Sequence, residues 1–457
     1  MKTVADFHIH SPYSRAVSKE MTLENLSVWA GLKGIGVMGT GDFTHPKWIQ
    51  EIKAKLEPAE EGLYVLKSQI PSTPEGVAGR PYGAGKSQKN PKFSRWQSNR
   101  GSSTKSGQIP NSETRFILTV EISSIYSKNG RTRRIHNIIF MPSVASAEKF
   151  NAALGWRGNL KSDGRPILGL DAKELAKIAF DTDPRAVVVP AHAWTPWFSV
   201  FGSMSGFNSL EECFDEYAKN IFAIETGLSS DPAMNWRLSA LDRIALLSNS
   251  DSHSLHRIGR EANVFELASL SYDSIIDAIR TKDPKKFLFT VEFFPEEGKY
   301  HYNGHRACKI SMSPEETKKV RKVCPKCGKP LTVGVLYRVD ELADRPMGAR
   351  PEGAIPYKNL VQLDEIIAES FGVGTASKRV QTAYHELLGR IGSEFSILID
   401  ASDSDLKSAA PPEVFEGIRR VREGKLHIEP GYDGEYGIVK IFTAGERKSI
   451  TTQKTLF

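Results

Sequence analysis

Short apolar runs alternate with helix-length amphipathic segments over the first 290 residues of the chain. The apolar runs predict strands at Thr3–Phe7, Gly34–Met38, Phe116–Glu121, Ile135–Phe140, Ala186–Val189, Ile221–Glu225 and Ile244–Leu247. The amphipathic spacing predicts helices at Thr22–Leu32, Ala172–Phe180 and Ser271–Thr281. Strands that alternate with helices favour a parallel sheet, and these seven runs predict an α/β barrel related to the TIM type. In such barrels the functional side chains lie where the strands end.

Residues 76–112 interrupt this pattern with a segment that contains no acidic residue. Glycine, serine, glutamine and asparagine are abundant there, and three aromatic residues are interspersed among the cations. The cations are Arg80, Lys86, Lys89, Lys92, Arg95, Arg100 and Lys105, and the aromatic residues are Tyr82, Phe93 and Trp96. This composition predicts a long basic loop that binds phosphate groups and exposed bases. A solvated insertion without function is the alternative.

Beyond residue 297 the sequence changes to a compact segment rich in cysteine and histidine, which extends to about residue 356. After it, apolar spacing predicts helices at Leu360–Ser370 and Ser377–Ile391, and a helix with a basic face at Glu413–Glu423. A chain of 457 residues is too long for one ordinary domain, so two or three domains are expected.

The net charge of +7 favours an anionic partner but does not identify it. Three of the four cysteines lie close together in the sequence, which indicates a metal site rather than disulfides. Cys213 lies in a helical pattern and is expected to be a buried small side chain. The N-terminus lacks the apolar core of a signal peptide, and no stretch is long enough to span a membrane. We therefore expect a cytoplasmic protein without a membrane partner.

Residue types that ligate metals follow the predicted strands. They are His8 and His10 after the first strand, Asp42 after the second, Glu121 and His136 in the third and fourth, His192 after the fifth, and Asp251 with His253 after the seventh. A lone histidine is usually a satisfied polar residue, and an acid after a strand often caps a helix. So many ligand types at strand ends, in a chain with only 11 histidines, indicate a metal site.

Imidazole-rich sites suit Zn²⁺, Mn²⁺ or Fe²⁺ better than Mg²⁺ or Ca²⁺. We expect zinc at this site, with Mg²⁺ or Mn²⁺ as alternative ions for activity. Neighbouring metal ions promote the hydrolysis of phosphoesters.

The second candidate metal site lies in the cysteine-rich segment. His305 and Cys308 form one closely spaced pair, and Cys324 and Cys327 form another. Two such pairs can close a tetrahedral zinc site, and a closed site is structural rather than catalytic. By spacing His305 is the fourth ligand, with His301 as the alternative.

The strand-end motifs resemble the polymerase and histidinol phosphatase (PHP) superfamily over about the first 290 residues. The resemblance implies a distorted (β/α)7 barrel in which His8, His10, Glu121 and Asp251 hold one metal ion. It also implies that Glu121 bridges to a second ion held by His136 and His192, and that Asp42 and His253 lie near a third. Catalysis is then assigned to Asp251, His192 and Glu121.

Two departures from the superfamily pattern concern the third ion. Many relatives have Thr-Asp-His after the second strand, whereas this chain has Thr40-Gly41-Asp42. Many also have a ligand soon after the first motif, where this chain has Ser14-Arg15-Ala16. Two metal ions are therefore expected more strongly than three.

The combination of such a barrel with a zinc ribbon resembles the endonuclease Q family, as do the segments Thr40–Trp48, Gly304–Cys308 and Gly328–Pro346. The resemblance implies a nuclease that nicks DNA on the 5′ side of deaminated bases (uracil, hypoxanthine, xanthine) and of abasic sites. The implied domains are a barrel at 1–295, a zinc-binding domain at 296–356, a helical domain at 357–450 and a tail at 451–457. The alternatives are a phosphatase acting on small molecules and a DNA-binding scaffold without activity.

Further residues are assigned to partners. Trp194 and Trp197 follow a predicted ligand and form either an aromatic wall for an extruded base or simple packing. Lys47 is expected to contact the DNA backbone. The C-terminal Gln453, Leu456 and Phe457 resemble a short peptide that binds bacterial sliding clamps, which predicts a clamp as a partner.

Overall fold

The structure is a computed structural model that describes residues 1–67, 114–443 and 445–447. Its strands are β1 Lys2–Asp6, β2 Val37–Gly39, β3 Leu56–Pro58, β4 Leu63–Leu66, β5 Arg115–Lys128, β6 Arg131–Met141, β7 Ile167–Leu168, β8 Val187–Pro190, β9 Ala223–Glu225, β10 Ala245–Leu247, β11 Ala262–Glu266, β12 Phe287–Glu292, β13 Asn303–His305, β14 Ile310–Met312, β15 Tyr357–Asn359, β16 His427–Glu429 and β17 Ile438–Lys440.

The α-helices in these ranges are α1 Leu23–Lys33, α2 Pro46–Lys55, α3 Val144–Gly155, α4 Ala172–Thr182, α5 Leu210–Phe214, α6 Pro232–Asn235, α7 Tyr272–Thr281, α8 Pro314–Lys319, α9 Val335–Leu342, α10 Leu363–Phe371, α11 Lys378–Ile391, α12 Asp403–Ala409 and α13 Pro412–Arg422. Each strand and helix predicted from the sequence overlaps one of these elements, so the mixed α/β class is confirmed. Local chemistry explains the bounds: the side chain of Thr22 caps α1, and Gly34 ends it at a φ of 89°.

The central sheet is mixed rather than purely parallel. Strand β1 pairs in parallel with β2, and β2 pairs in parallel with β5. However, β5 and β6 form a long antiparallel hairpin, and β6 is antiparallel to β8. The hairpin turns at Asn129 and Gly130, whose φ values of 55° and 70° match a tight turn that needs positive φ at both positions. The parallel sheet expected from the sequence is thus interrupted at this hairpin.

The sheet curves into a barrel-like arrangement around one apolar core. A single buried cluster takes a side chain from each of eight strands: Ala5, Val37, Ile117, Ile138, Val187, Ala223, Ala245 and Phe265. The backbone N–H of Ala193, after β8, donates to Glu225 O on β9 at 2.9 Å. On the other side of the β9–β10 pair, Ser248 Oγ donates to Val291 O on β12 at 2.6 Å. The ends of these strands therefore converge on one region.

None of the helices within the described ranges is long and apolar enough to cross a membrane. Helices α10 to α13 instead pack on the barrel through polar as well as apolar contacts. The ammonium group of Lys33, at the end of α1, lies 2.8 Å from a carboxylate oxygen of Glu394. Glu394 also accepts hydrogen bonds from Leu363 N at 3.1 Å and from Tyr384 Oη at 2.7 Å. This buried carboxylate therefore connects α1 with α10 and α11.

We expect Lys33→Met to lower the free energy of unfolding by about 3 kcal/mol, because removing one partner of a buried ion pair leaves the other charge uncompensated. The exposed pair Lys53–Glu148 provides the control, and Lys53→Met should change the same quantity by less than about 1 kcal/mol. Urea unfolding followed by circular dichroism measures both. Equal midpoints for the two variants would contradict the importance of the Lys33–Glu394 pair.

Candidate active site

The first candidate metal-binding group lies after the ends of β1 and β10 and beside Glu121 in the middle of β5. His8 and His10 are alternate residues of an extended segment, so their imidazoles point to the same side. His10 Nε2 lies 3.1 Å from Asp251 Oδ1 and 3.4 Å from Glu121 Oε2. His8 Nε2 lies 3.6 Å from each of the same two oxygens. All four ligand atoms lie within 4.8 Å of one another.

His8 Nε2 provides a test of whether these residues fit a metal ion. This nitrogen is buried and has no hydrogen-bond partner among the described residues. A buried polar atom without a partner is costly. Two imidazole nitrogens and two carboxylate oxygens that converge on one point form a donor set suited to a divalent transition metal. The residues therefore fit a metal ion.

The second group shares Glu121 with the first. Glu121 Oε1 lies 2.6 Å from His136 Nδ1 and 3.0 Å from His192 Nε2. The two histidine nitrogens lie 3.3 Å apart. Glu121 thus directs one oxygen toward each group, which is the arrangement that a carboxylate bridging two metal ions requires. The structure thus brings together the residues of both groups that the resemblance predicts, with Glu121 shared between them.

The other nitrogen of each histidine in the first group faces a buried carboxylate. His8 Nδ1 lies 3.0 Å from Glu225 Oε1, and His10 Nδ1 lies 3.0 Å from Asp42 Oδ1. Such carboxylates hold the tautomer and the orientation of a ligating imidazole. Glu225, at the end of β9, was missed by the sequence analysis. The rule that the ends of strands carry the site would have identified it.

Asp42 does not join either metal-binding group in the described chain. Its second oxygen accepts hydrogen bonds from Ser11 N and Ser11 Oγ, both at 2.7 Å, and from Ser14 Oγ at 2.8 Å. These bonds, together with His10, use its acceptor capacity on the side away from the cluster. Asp42 thus contacts His10 instead of joining a group, and its assignment as a metal ligand stays a prediction.

His253 also lies outside both groups in the described part of the chain. Its ring centroid lies 4.7 Å from that of His10, and its Nδ1 lies 2.9 Å from the carbonyl oxygen of Asp251. Asp42 and His253, which the resemblance places near a third ion, therefore each contact His10. The number of metal ions stays a prediction.

The charges of the cluster depend on one another. Burial opposes ionisation of His8, but the carboxylates of Glu225, Asp251 and Glu121 raise its pKa well above the usual value. Burial likewise opposes ionisation of Asp251, yet His8 and His10 hold the pKa of this carboxyl well below its usual range. In contrast, burial lowers the pKa of His136 to about 4. A divalent cation would replace the protons that balance these carboxylates.

The backbone is strained at the residues that follow the strands. Asp42, His192 and Asp251 have φ values of 51°, 31° and 45°, which lie in the left-handed region that side chains other than glycine rarely adopt. Beside Asp251, buried hydrogen bonds hold the backbone: Asp6 accepts from Ser250 N and Gly259 N, both at 3.0 Å. The strain therefore coincides with the site, as is usual where side chains are held for function.

A cleft of about 750 Å³ opens beside the two groups, and Asp251, His136 and His192 form part of its wall. Its other lining residues include the acidic Asp163 and a set of cationic and aromatic residues: Arg15, Arg134, Arg165, Lys299, Trp197, Phe198 and Tyr300. The rings of Trp197 and Tyr300 make an edge contact at 5.5 Å. This composition suits an anionic ligand that also has flat apolar faces.

One assignment to a DNA-binding surface differs from the structure. Trp194 is fully buried, and its Nε1 donates to Asn235 Oδ1 at 2.7 Å, so it packs in the core instead of forming a wall for a base. Lys47 is exposed at the start of α2, outside the cleft lining, and its contact with the DNA backbone stays a prediction. Trp197 does line the cleft.

Arg165 was missed by the sequence analysis. Its Nη1 donates to Glu121 Oε2 at 3.0 Å, and Glu121 raises the pKa of this guanidinium further. The residue precedes the two-residue strand β7, which is too short to give a hydrophobic pattern. Its sequence neighbourhood therefore carried no signal.

In the cysteine-rich segment, His305, Cys308, Cys324 and Cys327 place four ligand atoms within 4.8 Å of one another. Cys327 Sγ lies 3.3 Å from His305 Nδ1, and Gly328 takes a φ of 73° in the turn that follows. His301 is buried elsewhere, with its ring against Tyr302. The structure thus brings His305 rather than His301 to the cysteines.

The remaining predicted site residues lie outside the described residues. They are Arg80, Lys86, Lys89, Lys92, Arg95 and Trp96 of the basic segment, and Gln453, Leu456 and Phe457 of the tail.

Comparison with known proteins gives matches to one domain model and to several proteins. The model of the MJ0043 C-terminal domain matches residues 362–425, which contain α10 to α13. The uncharacterized protein MJ0043 of Methanocaldococcus jannaschii is 36% identical over 253 residues, which are 54% of this chain and 31% of that protein. The chain thus spans less than a third of the length of this relative. The uncharacterized protein YqxK of Bacillus subtilis is 29% identical over 449 residues, covering 96% of this chain and 99% of that protein.

Two solved structures are similar over almost the whole chain. The crystal structure of the lesion-specific endonuclease PfuEndoQ from Pyrococcus furiosus has 31% identity and a TM-score of 0.78, with 98% of this chain and 99% of that chain covered. A crystal structure of endonuclease Q in complex with a 27-mer duplex substrate, with an abasic lesion at the active site, has 31% identity and a TM-score of 0.77, with 98% of each chain covered.

The different positions of Asp251 and Asp42 generate a prediction about metal affinity. We expect Asp42→Asn to weaken metal binding about 10- to 100-fold, as the loss of a residue that orients a ligand does. Asp251→Asn removes a ligand atom and should weaken binding more. Competition with a chromogenic chelator measures both affinities for Zn²⁺ and Mn²⁺, and Glu148→Gln on the exposed surface is the control. An Asp251→Asn protein with unchanged affinity would contradict the assignment.

Proposed function

The chain belongs to the endonuclease Q family, and we propose that it hydrolyses the DNA phosphodiester on the 5′ side of deaminated bases (uracil, hypoxanthine, xanthine) and of abasic sites. Its similarity to a lesion-specific endonuclease over 98% of the chain supports a role in DNA repair. The observation that carries the proposal is the carboxylate of Glu121, which faces two metal-binding groups at the wall of a cationic and aromatic cleft.

We propose a division of the chain that corresponds to this function. Residues 1–295 form a PHP-type phosphoesterase barrel, residues 296–356 a zinc ribbon, residues 357–450 a helical domain, and residues 451–457 a tail. The buried apolar side chains that eight strands, from β1 to β11, contribute to one cluster support the barrel as the first unit. The group of His305 with three cysteines supports the second.

In the proposed centre, His8, His10, Glu121 and Asp251 would hold one metal ion, and Glu121, His136 and His192 would hold a second. Bound metal ions supply Lewis acidity toward phosphate oxygens and lower the pKa of the attacking water. The imidazole-rich donor set favours zinc, with Mg²⁺ or Mn²⁺ as alternative ions for activity. The group in the zinc ribbon is closed by its four ligands and is proposed to be structural.

The chain's own residues position the substrate. Asp251 and His192 line the cleft, so with Glu121 they are the proposed catalytic residues. Arg165 reaches the same wall, where a guanidinium can hold a phosphate oxygen through two N–H groups. Trp197 and Tyr300 offer aromatic faces to a base that leaves the helical stack.

We expect the wild-type protein to nick a labelled duplex that contains a single uracil, immediately on its 5′ side. Asp251→Ala should lower the rate about 10³-fold or more, because a lost metal ligand removes several kcal/mol of transition-state stabilisation. Glu148→Gln is the matched surface control. A duplex without uracil and a small phosphomonoester are the negative controls, and neither should be hydrolysed. Hydrolysis of the phosphomonoester without nicking would favour the small-molecule phosphatase instead.

The tail supports a proposal about a partner. We propose that Gln453, Leu456 and Phe457 bind a bacterial sliding clamp, because an amide and two apolar side chains at this spacing suit an apolar groove. Deletion of residues 453–457 should abolish binding to an immobilised clamp while the nicking of a free duplex remains unchanged. Unchanged clamp binding after the deletion would show that the tail is not the contact.

A further inference from the structure

Trp156, directly after α3, exposes 92% of its surface. Single exposed apolar side chains are common on soluble proteins, so the position and the neighbours of this indole decide its meaning. Tryptophan is nevertheless the residue most enriched among the side chains that dominate binding to partners. The segment from Trp156 to Ile167 is named the rim segment below.

The rim segment lies at the edge of the cleft. Ile167 at its end is exposed and lines the cleft, as does Arg165. Near its start, Gly158 packs so closely on Leu168 that a Cβ at this glycine would lie 2.5 Å from Leu168 Cδ2. Only one residue separates Trp156 from Gly158. The start of the rim segment therefore packs against the residue next to Ile167, and its end lines the cleft.

Hydrogen bonds fix the shape of the rim segment. Arg157 N donates to Leu154 O at 2.8 Å, and Leu160 is buried beneath. Asp163 accepts from Arg165 N at 3.1 Å, and Gly164 N donates to Tyr13 O at 3.1 Å. A surface whose conformation is set before binding loses little entropy when a partner binds.

The charge of the rim segment favours an anionic partner. Arg157 and Lys161 are exposed, whereas Asp163, the segment's only acidic residue, is buried. The side chain of Arg15 is 81% exposed, and its Nε lies 3.5 Å from Asp163 Oδ2. The surface around Trp156 thus combines exposed cations with a flat apolar ring.

Nucleic acid fits this combination better than an acidic protein does, since every base offers a flat face at a regular distance from a phosphate. Stacking on aromatic side chains and phosphate contacts by lysine and arginine are the two elements of sequence-independent binding. When a lesion is drawn out of the helix, the neighbouring bases lose a stacking partner. An aromatic ring at the edge of the cleft can take its place.

We infer that the rim segment is a DNA-binding element in which Trp156 stacks on a base next to the lesion, while Arg157 and Lys161 contact the flanking phosphates. The inference rests on the proposed function and extends the DNA contact beyond the cleft.

The test is the affinity for a single-uracil duplex with a phosphorothioate at the scissile position, measured by fluorescence anisotropy. Trp156→Ala should raise the Kd about tenfold, within the range for loss of one stacked base. Trp156→Phe should remain within about threefold of the wild type, because a phenyl ring can still stack. Met347→Ala, which removes another exposed apolar side chain, is the matched control.

A Trp156→Ala protein with wild-type Kd and wild-type unfolding temperature would overturn the inference. A second arm tests the cations: Arg157→Gln with Lys161→Gln should reduce the slope of log Kd against log salt by about 2, since each lost phosphate contact removes about one unit. An unchanged slope would refute the phosphate contacts.

Failure of the proposed function has a different signature. If the wild type binds the duplex and Trp156→Ala weakens binding but no nick forms on the cleavable duplex, the rim segment stands and the endonuclease assignment falls. If the wild type nicks and Trp156→Ala binds equally well, only the inference about the rim segment falls.

Discussion

The buried carboxylate of Glu121 is the interaction on which the site depends. Its two oxygens face different pairs of histidines, at distances from 2.6 to 3.6 Å, and Arg165 approaches one of them. Without compensating cations, a carboxylate at this depth would be strongly disfavoured. The β5–β6 hairpin sets its position, because Glu121 and Ile138 are opposite in register and His136 then lies on the neighbouring strand two residues away. The pairing of these two strands thus also brings Glu121 to His136.

A buried polar layer keeps the remaining ligands in place. Glu225 accepts from His192 N at 2.7 Å and from Asn249 Nδ2 at 3.0 Å, and it also faces His8. One carboxylate therefore orients the imidazole of the first group and the backbone of the second. Such networks are favourable only when each member is satisfied. Interactions behind the ligands, rather than the ligands alone, explain why left-handed backbone conformations are tolerated at His192 and Asp251.

The sequence was sufficient to predict what depends on periodicity and on the ends of strands. His8, His10 and Asp251 follow strands that show as apolar runs, and a barrel brings such positions together. The direction in which each side chain points could not be predicted in this way. Asp42 also follows a strand, but whether its carboxylate faces a metal ion or the Nδ1 of His10 depends on hydrogen bonds from Ser11 and Ser14. The same limit applies to Trp194, whose indole points into the core toward Asn235. The Asn129-Gly130 turn was a readable signal for the antiparallel hairpin, and its omission led to the expectation of a parallel sheet.

The cysteine-rich segment is connected by hydrogen bonds to the cleft wall, although the two are far apart in the sequence. Val335 N, at the start of α9, donates to Tyr300 O at 2.7 Å, and Tyr300 lines the cleft. From the same helix, Arg338 donates to Phe201 O at 3.0 Å and to Phe207 O at 3.1 Å, in the loop that begins at His192 and carries Trp197. Helix α9 thus contacts both Tyr300 and the loop that carries Trp197, the two aromatic residues that meet at the cleft. Because Thr332, shortly before α9, exchanges backbone hydrogen bonds with Gly304, next to His305, the four-ligand group and the cleft wall form one mechanically connected unit. A metal ion at the cysteines would therefore stabilise the part of the cleft wall that contains Tyr300 and Trp197, although no cysteine lies in the cleft lining among the described residues.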